Sequence, residues 1–380
     1  MIRNGGPREE HAVAHVVVAP DKFKGSLTAA AAAAALARGI ERVRPGLSVH
    51  RVPVADGGDG TVDAALAAGF RPVTATVHGP TGEQVTATIA IRDGVAVVEA
   101  ATAGGLARLP GGRLAPLTSS SYGVGELLLA AIDAGARTVV LGVGGSASTD
   151  GGAGLVQAVG GRVLDADGAD LSPGGGALAD VATVDLSGID PRIATVDVIL
   201  ASDVDNPLLG PHGAASVFGP QKGADPALVA LLDDVLRTWS THVDPAMADA
   251  PGAGAAGGIG FAALAVLGAT RRSGIDLLLD LIGFATHLPG AALVITGEGS
   301  LDEQSLHGKA PIGVVDAAGR AGVPAIAVAG RSQLNHDAVA KAGITAVYTL
   351  TDLEPDLARC IADADRLLEE LAVQIAEEWL

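Results

Sequence analysis

Lysine is scarce in this chain, and its placement is the first chemical signal. The 25 basic residues are Arg except at Lys22, Lys24, Lys222, Lys309 and Lys341. Four of these lysines fall in glycine-flanked loops: Asp21-Lys22-Phe23-Lys24-Gly25, Gln221-Lys222-Gly223 and Gly308-Lys309. Lys341 lies in a helical pattern before Ala342-Gly343 and reads as a solvated surface charge. Lysine is a compact charge on a flexible stem that can follow a phosphate, whereas Arg is a planar fork. A chain that uses Arg elsewhere and keeps Lys in loops therefore reads as needing point charges there.

Carboxylates supply the second half of such chemistry. Asp56, Asp59, Asp150, Asp203, Asp205, Glu298 and Asp302 all lie in the expected loops. Magnesium takes one or two carboxylates together with phosphate oxygens and water, and phosphoryl transfer to a hydroxyl benefits from a carboxylate that accepts its proton. Asp203, just past a predicted strand, is the preferred base or metal ligand. Asp302, which shares a loop with Glu298 and Lys309, is the second metal candidate. Any one of these Asp residues could equally be an Asx-turn or a helix cap.

Other chemistries fail on spacing. Gly142-Val143-Gly144-Gly145-Ser146-Ala147 lacks the third glycine of the dinucleotide fingerprint, and Gly308-Lys309 is followed by Ala310, so no Walker loop is present. Ser146 does not sit in a nucleophile elbow, and its hydroxyl reads as a phosphate or carboxylate donor. His and Cys do not cluster at zinc spacing, and His307 reads as structural or solvated. Cys360 reads as a small buried hydrophobe.

The elements that must position these loops alternate. Val16–Ala19 is an apolar run typical of a buried parallel strand, followed by a helix expected from Ser26 as N-cap to about Arg44. Strand 48–54 and helix 61–69 come next. Three alternating segments over 71–99, punctuated by Gly79-Pro80-Thr81-Gly82 and Asp93-Gly94, predict an antiparallel element. The α/β rhythm returns at 124–136, 138–143, 153 onward, 196–201 and 226–242. The end repeats the opening, with strand 292–295, a loop over 296–309, helix 311–321, strands 324–328 and 346–350, and one long helix from about Glu354. The fold class is α/β. A Rossmann-like parallel domain built from 14–70 and 288–380 holds an inserted α/β domain, 71–287, which carries the antiparallel element; residues 1–13 are expected to be a disordered extension. The rich loops all follow strand ends, the edge where open parallel sheets bind ligands. Candidate catalytic residues are Lys22, Lys24, Asp203 and Lys309. Candidate substrate and phosphate contacts are Asp21, Ser26, Asp56, Gly57, Gly58, Asp59, Gly144, Gly145, Ser146, Asp150, Gly151, Lys222, Gly297 and Glu298.

Composition excludes several partners. A net charge of −18 without a basic run repels nucleic acid. No stretch of about 18 apolar residues offers a membrane span, and residues 1–13 lack the apolar core of a signal peptide, so a cytoplasmic location is expected. A homo-oligomer stays open.

At these same residues the sequence resembles the bacterial type I glycerate kinase family. The matching segments run in order from Ala19-Pro20-Asp21-Lys22-Phe23-Lys24-Gly25-Ser26-Leu27 and Ala55-Asp56-Gly57-Gly58-Asp59-Gly60-Thr61 through Tyr122–Leu127, Gly144–Ala147 and Asp150–Gly152. They continue through Asp203–Leu208, Phe218–Ala224, Gly254–Gly258, Thr296–Ser300 with Asp302, and Gly308–Pro311. Val124 stands where Thr is common, and Ser148-Thr149 where Thr-Asn is common. The resemblance implies phosphorylation of D-glycerate, dependent on ATP and Mg2+, with 2-phosphoglycerate as product. It also implies a two-domain protein with its active site in the cleft. The residues alone leave 3-phosphoglycerate, a kinase of a related hydroxy acid and a phosphate-ligand binding protein as alternatives.

Overall fold

The structure is a computed structural model that describes residues 15–306 and 309–380. The expected extension 1–13 and the pair His307-Gly308 lie outside the described residues. The strands, in chain order, are β1 (His15–Pro20), β2 (Ser48–Arg51), β3 (Arg71–His78), β4 (Gln84–Arg92), β5 (Val95–Glu99), β6 (Thr138–Gly142) and β7 (Arg162–Leu164). After them come β8 (Thr183–Asp185), β9 (Asp197–Ala201), β10 (Thr270–Arg272), β11 (Ala291–Leu301), β12 (Ala325–Ser332) and β13 (Val347–Thr349).

The chain forms two compact units, one of residues up to Val54 with Leu279–Leu380 and the other Ala55–Leu278. The first holds an all-parallel sheet in the order β13-β12-β11-β1-β2. Every residue of β1 is buried, as a central strand covered on both faces requires. Val16 and Val18 pack with Leu36, Ile40, Leu368 and Ile375, which come from helices Ala29–Val43 and Ala364–Trp379. Helix Ala310–Arg320 packs on β11 and β12. In this sheet's own chain order the strands run 2-1-3-4-5, so the order reverses between β1 and β11. That switch point is where doubly wound sheets open a crevice for ligands.

The second unit holds the mixed sheet β10-β9-β6-β5-β4-β3. β5, β6, β9 and β10 run parallel, and β3–β5 form the antiparallel meander that the turn residues predicted. A small ladder, β7-β8, is separate. Helix Thr61–Ala67 packs on β4 and β5, so it belongs with this unit, whereas the sequence-based division drew the boundary after residue 70.

Three local expectations differ from the structure. Ser26 is not the N-cap: its hydroxyl donates to the Phe23 carbonyl (3.1 Å), and Thr28 accepts from Ala31 N–H instead. Much of the segment read as a loop after residue 295 is strand, because β11 runs on to Leu301 beside β12. The long helix expected from about Glu354 is two pieces, Leu357–Ala362 and Ala364–Trp379, and a short helix, Leu350–Leu353, precedes them. Pro355 cannot continue that short helix, since it brings no N–H, and Asp356 caps the next. Cys360 is buried as expected. No helix among the described residues is long and apolar enough to cross a membrane.

Candidate active site

Within the second unit, the ends of β6 and β9 and three neighbouring loops line an open-sided cavity of about 190 Å3. Asp56, Gly57 and Gly58 form one wall, Gly144, Gly145 and Ser146 a second, and Asp203 and Lys222 also face it, together with Ala256. The glycines are there because backbones touch. A Cβ on Gly57, whose φ is +85°, would lie 2.9 Å from the Ala201 carbonyl, and one on Gly144 would collide with the Gly58 backbone. Ala256 holds φ 54°, ψ 38°, ahead of two glycines that also have positive φ. An Ala kept in this left-handed region is a local strain of the kind that gathers at binding sites.

The charged groups here are shifted by their surroundings. Asp203 Oδ1 accepts from Gly274 N–H (2.8 Å), while its buried Oδ2 has no partner among the described residues. Burial pushes this carboxyl up to about 6; hydrogen bonds from Gly274 and Ser273 oppose the rise, and the Asp56 charge adds to it. Lys222 is 2 % exposed. Its ammonium donates to Ser146 Oγ (3.1 Å) and to the Ser148 carbonyl (2.5 Å). Burial lowers it to about 7, and Asp150 acts against that fall.

Not every candidate in this unit reaches the cavity. Asp150 is fully buried and accepts from Ser121 N–H and Oγ–H (both 2.8 Å), Gly152 N–H and Gly154 N–H. A carboxylate held this way anchors two loops to each other. Gly151 serves packing: its carbonyl accepts from the Trp239 indole, and a Cβ would strike that ring. Asp59 lies against Gly145. Asp205 pairs with Arg271 (2.6 Å).

The remaining candidates belong to the first unit, around the β1/β11 switch point. Asp21 N–H donates to the Gly297 carbonyl, and Asp21 Oδ1 accepts from Lys22 N–H (2.6 Å). This lysine loop passes close over β11, where a Cβ on Gly299 would sit 3.1 Å from Lys24 N. Phe23 is buried and anchors the loop, leaving Lys24 exposed and Lys22 half-buried. Glu298 is on β11, and Asp302 Oδ1 accepts from Ser305 N–H (3.2 Å). Lys309 takes the N-cap position of helix Ala310–Arg320.

The sequence profile described as the glycerate kinase family matches residues 16–380. The chain belongs to the glycerate kinase family. It is 44% identical over 368 residues to a glycerate kinase of Bacillus subtilis (strain 168), covering 95% of this chain and 96% of that one. It is also 44% identical over 344 residues to glycerate 2-kinase of Escherichia coli (strain K12), covering 88% and 90%. The structure resembles a crystal structure assigned to glycerate kinase 2 from Salmonella typhimurium LT2, with a TM-score of 0.81 and 40% identity, covering 96% of this chain and 98% of that one.

Two residues of this glycerate kinase family chain escaped the sequence reading. Glu99, at the end of β5, is buried; its Oε2 accepts from Gly60 N–H and Val62 N–H (both 3.1 Å) and so holds the Asp56–Gly60 loop. Burial raises it to about 7, its two backbone bonds oppose this, and Asp59 and Asp63 add to it. The available signal was an acidic residue closing an apolar run, Val95-Ala96-Val97-Val98-Glu99. Ala256 gave no signal beyond its glycine neighbours.

The family resemblance implies magnesium, and the donor set of the cavity fits that ion. Among the described residues no cluster of three or more His, Cys, Asp or Glu could hold a metal. Magnesium needs only one or two carboxylates when phosphate oxygens and water complete its shell. Asp203, with its unpartnered oxygen, and Asp56 in the same lining meet that need. Asp302, the other candidate, has Oδ1 bonded to Ser305.

Proposed function

We propose that this chain is an ATP-dependent glycerate kinase that phosphorylates D-glycerate to 2-phosphoglycerate with Mg2+. The observation that carries the reading is the unpartnered Asp203 oxygen in a small cavity that also holds the buried Lys222 and Ser146. The relatives' names, glycerate kinase and glycerate 2-kinase, support the substrate and the position of transfer.

In the proposed reaction Asp203 accepts the proton of the acceptor hydroxyl. The hydroxyl oxygen forms its bond to the γ-phosphorus, the bond from that phosphorus to the β-phosphate oxygen breaks, and ADP leaves. Bound magnesium would neutralise phosphate charge, with Asp56 as its protein ligand beside phosphate oxygens and water, which leaves the Asp203 oxygen for the proton. Lys22, Lys24 and Lys309 supply point charges for the nucleotide phosphates, and the β1/β11 switch point supports that assignment. The reaction uses ATP and is placed in the cytoplasm.

The test is transfer from ATP to D-glycerate with and without magnesium, with the product read by phosphorus NMR. Formation of 2-phosphoglycerate only with magnesium is the expected result. A 3-phosphoglycerate product would correct the position. Transfer solely to a different hydroxy acid would replace the substrate, and absence of transfer with retained phosphate binding would make the chain a binding protein.

A further inference from the structure

The 190 Å3 of the cavity falls below the roughly 300 Å3 at which pockets for drug-sized ligands begin. A nucleoside triphosphate is itself of that larger class, whereas a three-carbon acid is much smaller. Among the described residues, Lys222 is the one cation in the lining. An ammonium carries three N–H donors, and two of those on Lys222 go to Ser146 Oγ and the Ser148 carbonyl. The third has no acceptor among the described residues. Ser146 accepts from Lys222 and keeps its own O–H to give. Two donors therefore stand 3.1 Å apart, on side chains 2 % and 4 % exposed, each with a proton to offer. A carboxylate presents two acceptor oxygens side by side and suits such a pair. The unpartnered Asp203 Oδ2 in the same lining adds an acceptor for a hydroxyl.

We infer that this cavity is the acceptor subsite, in which Lys222 and Ser146 hold the carboxylate of a small hydroxy acid while Asp203 receives its hydroxyl. The inference rests on the kinase reading for its chemistry, but it makes a separate claim about which anion goes where. Lys222 is thereby assigned to the acceptor's carboxylate and not to a nucleotide phosphate. An alcohol without a carboxylate leaves the buried donors unpaired, and such a mismatch costs on the order of 10^4-fold in kcat/KM. Glycerol is accordingly a very poor acceptor.

The experiment uses the full chain and its Ser146→Ala, Lys222→Met and Lys222→Arg variants, with melting curves to confirm folding. KM is measured separately for D-glycerate and ATP, and D-glycerate is titrated calorimetrically without nucleotide. Ser146→Ala should raise the glycerate KM and Kd by about tenfold and leave the ATP KM within about twofold. Lys222→Met should do more and should shrink the preference for glycerate over glycerol. If Lys222→Met does not fold, Ser146→Ala decides alone. A rise in the ATP KM with unchanged glycerate binding would overturn the subsite, as would wild-type protein that turns over glycerate but loses no affinity in folded Ser146→Ala. Wild-type protein that binds D-glycerate, weakened by Ser146→Ala, yet transfers no phosphate would sink the kinase reading and keep the subsite.

Discussion

The Lys222 ammonium donates to the Ser146 hydroxyl across 3.1 Å, and both side chains are buried. Burial brings this lysine down to about 7 and takes Asp203 up to about 6. Productive capture of the acceptor needs Asp203 ionised and Lys222 charged. The expected kcat/KM for D-glycerate therefore rises through about pH 6 and falls through about pH 7. Lys222→Arg stays charged and should keep the rising limb while losing the falling one. A wild-type profile flat from about pH 6 to 9 would contradict this. Folding responds with the opposite preference. Between about pH 7 and the ordinary lysine value the unfolded chain holds the proton that the folded chain has released, so this group's contribution to stability increases with pH.

Asp203→Asn should separate chemistry from folding. The amide keeps an oxygen for Gly274 N–H but cannot take a proton, so kcat should drop by about 10^2- to 10^4-fold. Because burial disfavours the carboxylate, the melting temperature at pH 7 should hold or rise. A fall in kcat matched by a comparable loss of stability would remove Asp203 from the reaction.

Glu99 acts through the loop it holds. Glu99→Ala leaves Gly60 N–H and Val62 N–H without their acceptor, at a cost of about 1–3 kcal/mol for each buried group left unpaired. Glu99→Gln retains an acceptor oxygen. Melting curves should show a clear loss in the Ala variant and near-recovery in the Gln variant, with kcat/KM following the same order. Equal behaviour of the two would remove the loop-holding role.

The lysines of the first unit carry a sharper prediction about shape. Lys24 is exposed, so Lys24→Arg should leave the melting temperature within about 1 °C while raising the ATP KM. Full activity would show that any positive charge suffices there. Lys309→Ala should reduce turnover far more than stability, measured by the same two assays.

Acid sensitivity is expected from a different place. His15 and His50 stack with ring centroids 4.2 Å apart, and His50 meets His287 edge to face at 5.4 Å. Burial lowers His50 and His287 below the usual histidine range, and the neighbouring imidazoles add to it. The folded state then resists protons that the unfolded chain accepts. Stability from His50 and His287 is complete above about pH 6.5 and is lost as the pH falls below it. Between pH 7 and 5 the wild type should lose about 2 °C or more of melting temperature beyond what His50→Leu loses; parallel curves would exclude the trio as the cause.

The parts legible in the sequence share one property, that their signal is local. Val16–Ala19 announced a central strand because a strand covered on both faces has no polar side, and Gly79–Gly82 announced a hairpin because turn chemistry is local. Asp56, Gly144, Ser146, Asp203 and Lys222 were picked out individually, and the structure lines one cavity with them. Asp150 and Gly151 look the same in sequence as these, yet their partners, Ser121 and Trp239, lie far along the chain. Ser26 gave way to Thr28 as cap for a subtler reason, since both hydroxyls precede the same helix and only backbone direction separates them. Glu99 was silent because strand ends are often acidic, and only its burial distinguishes it.

The pairing of β1 with β11 has a consequence for biogenesis. Val17 faces Val294 across one ladder, so the strand synthesised almost first acquires its second neighbour only when most of the chain has left the ribosome. The stretch Ala55–Leu278 closes on itself and can condense while the earlier apolar segment is still waiting. Such a long-range pairing is slow to form and leaves a sticky edge exposed meanwhile. Nascent chains stalled shortly before residue 291 should therefore present β1 to holdase chaperones, with the inserted unit already folded downstream of it.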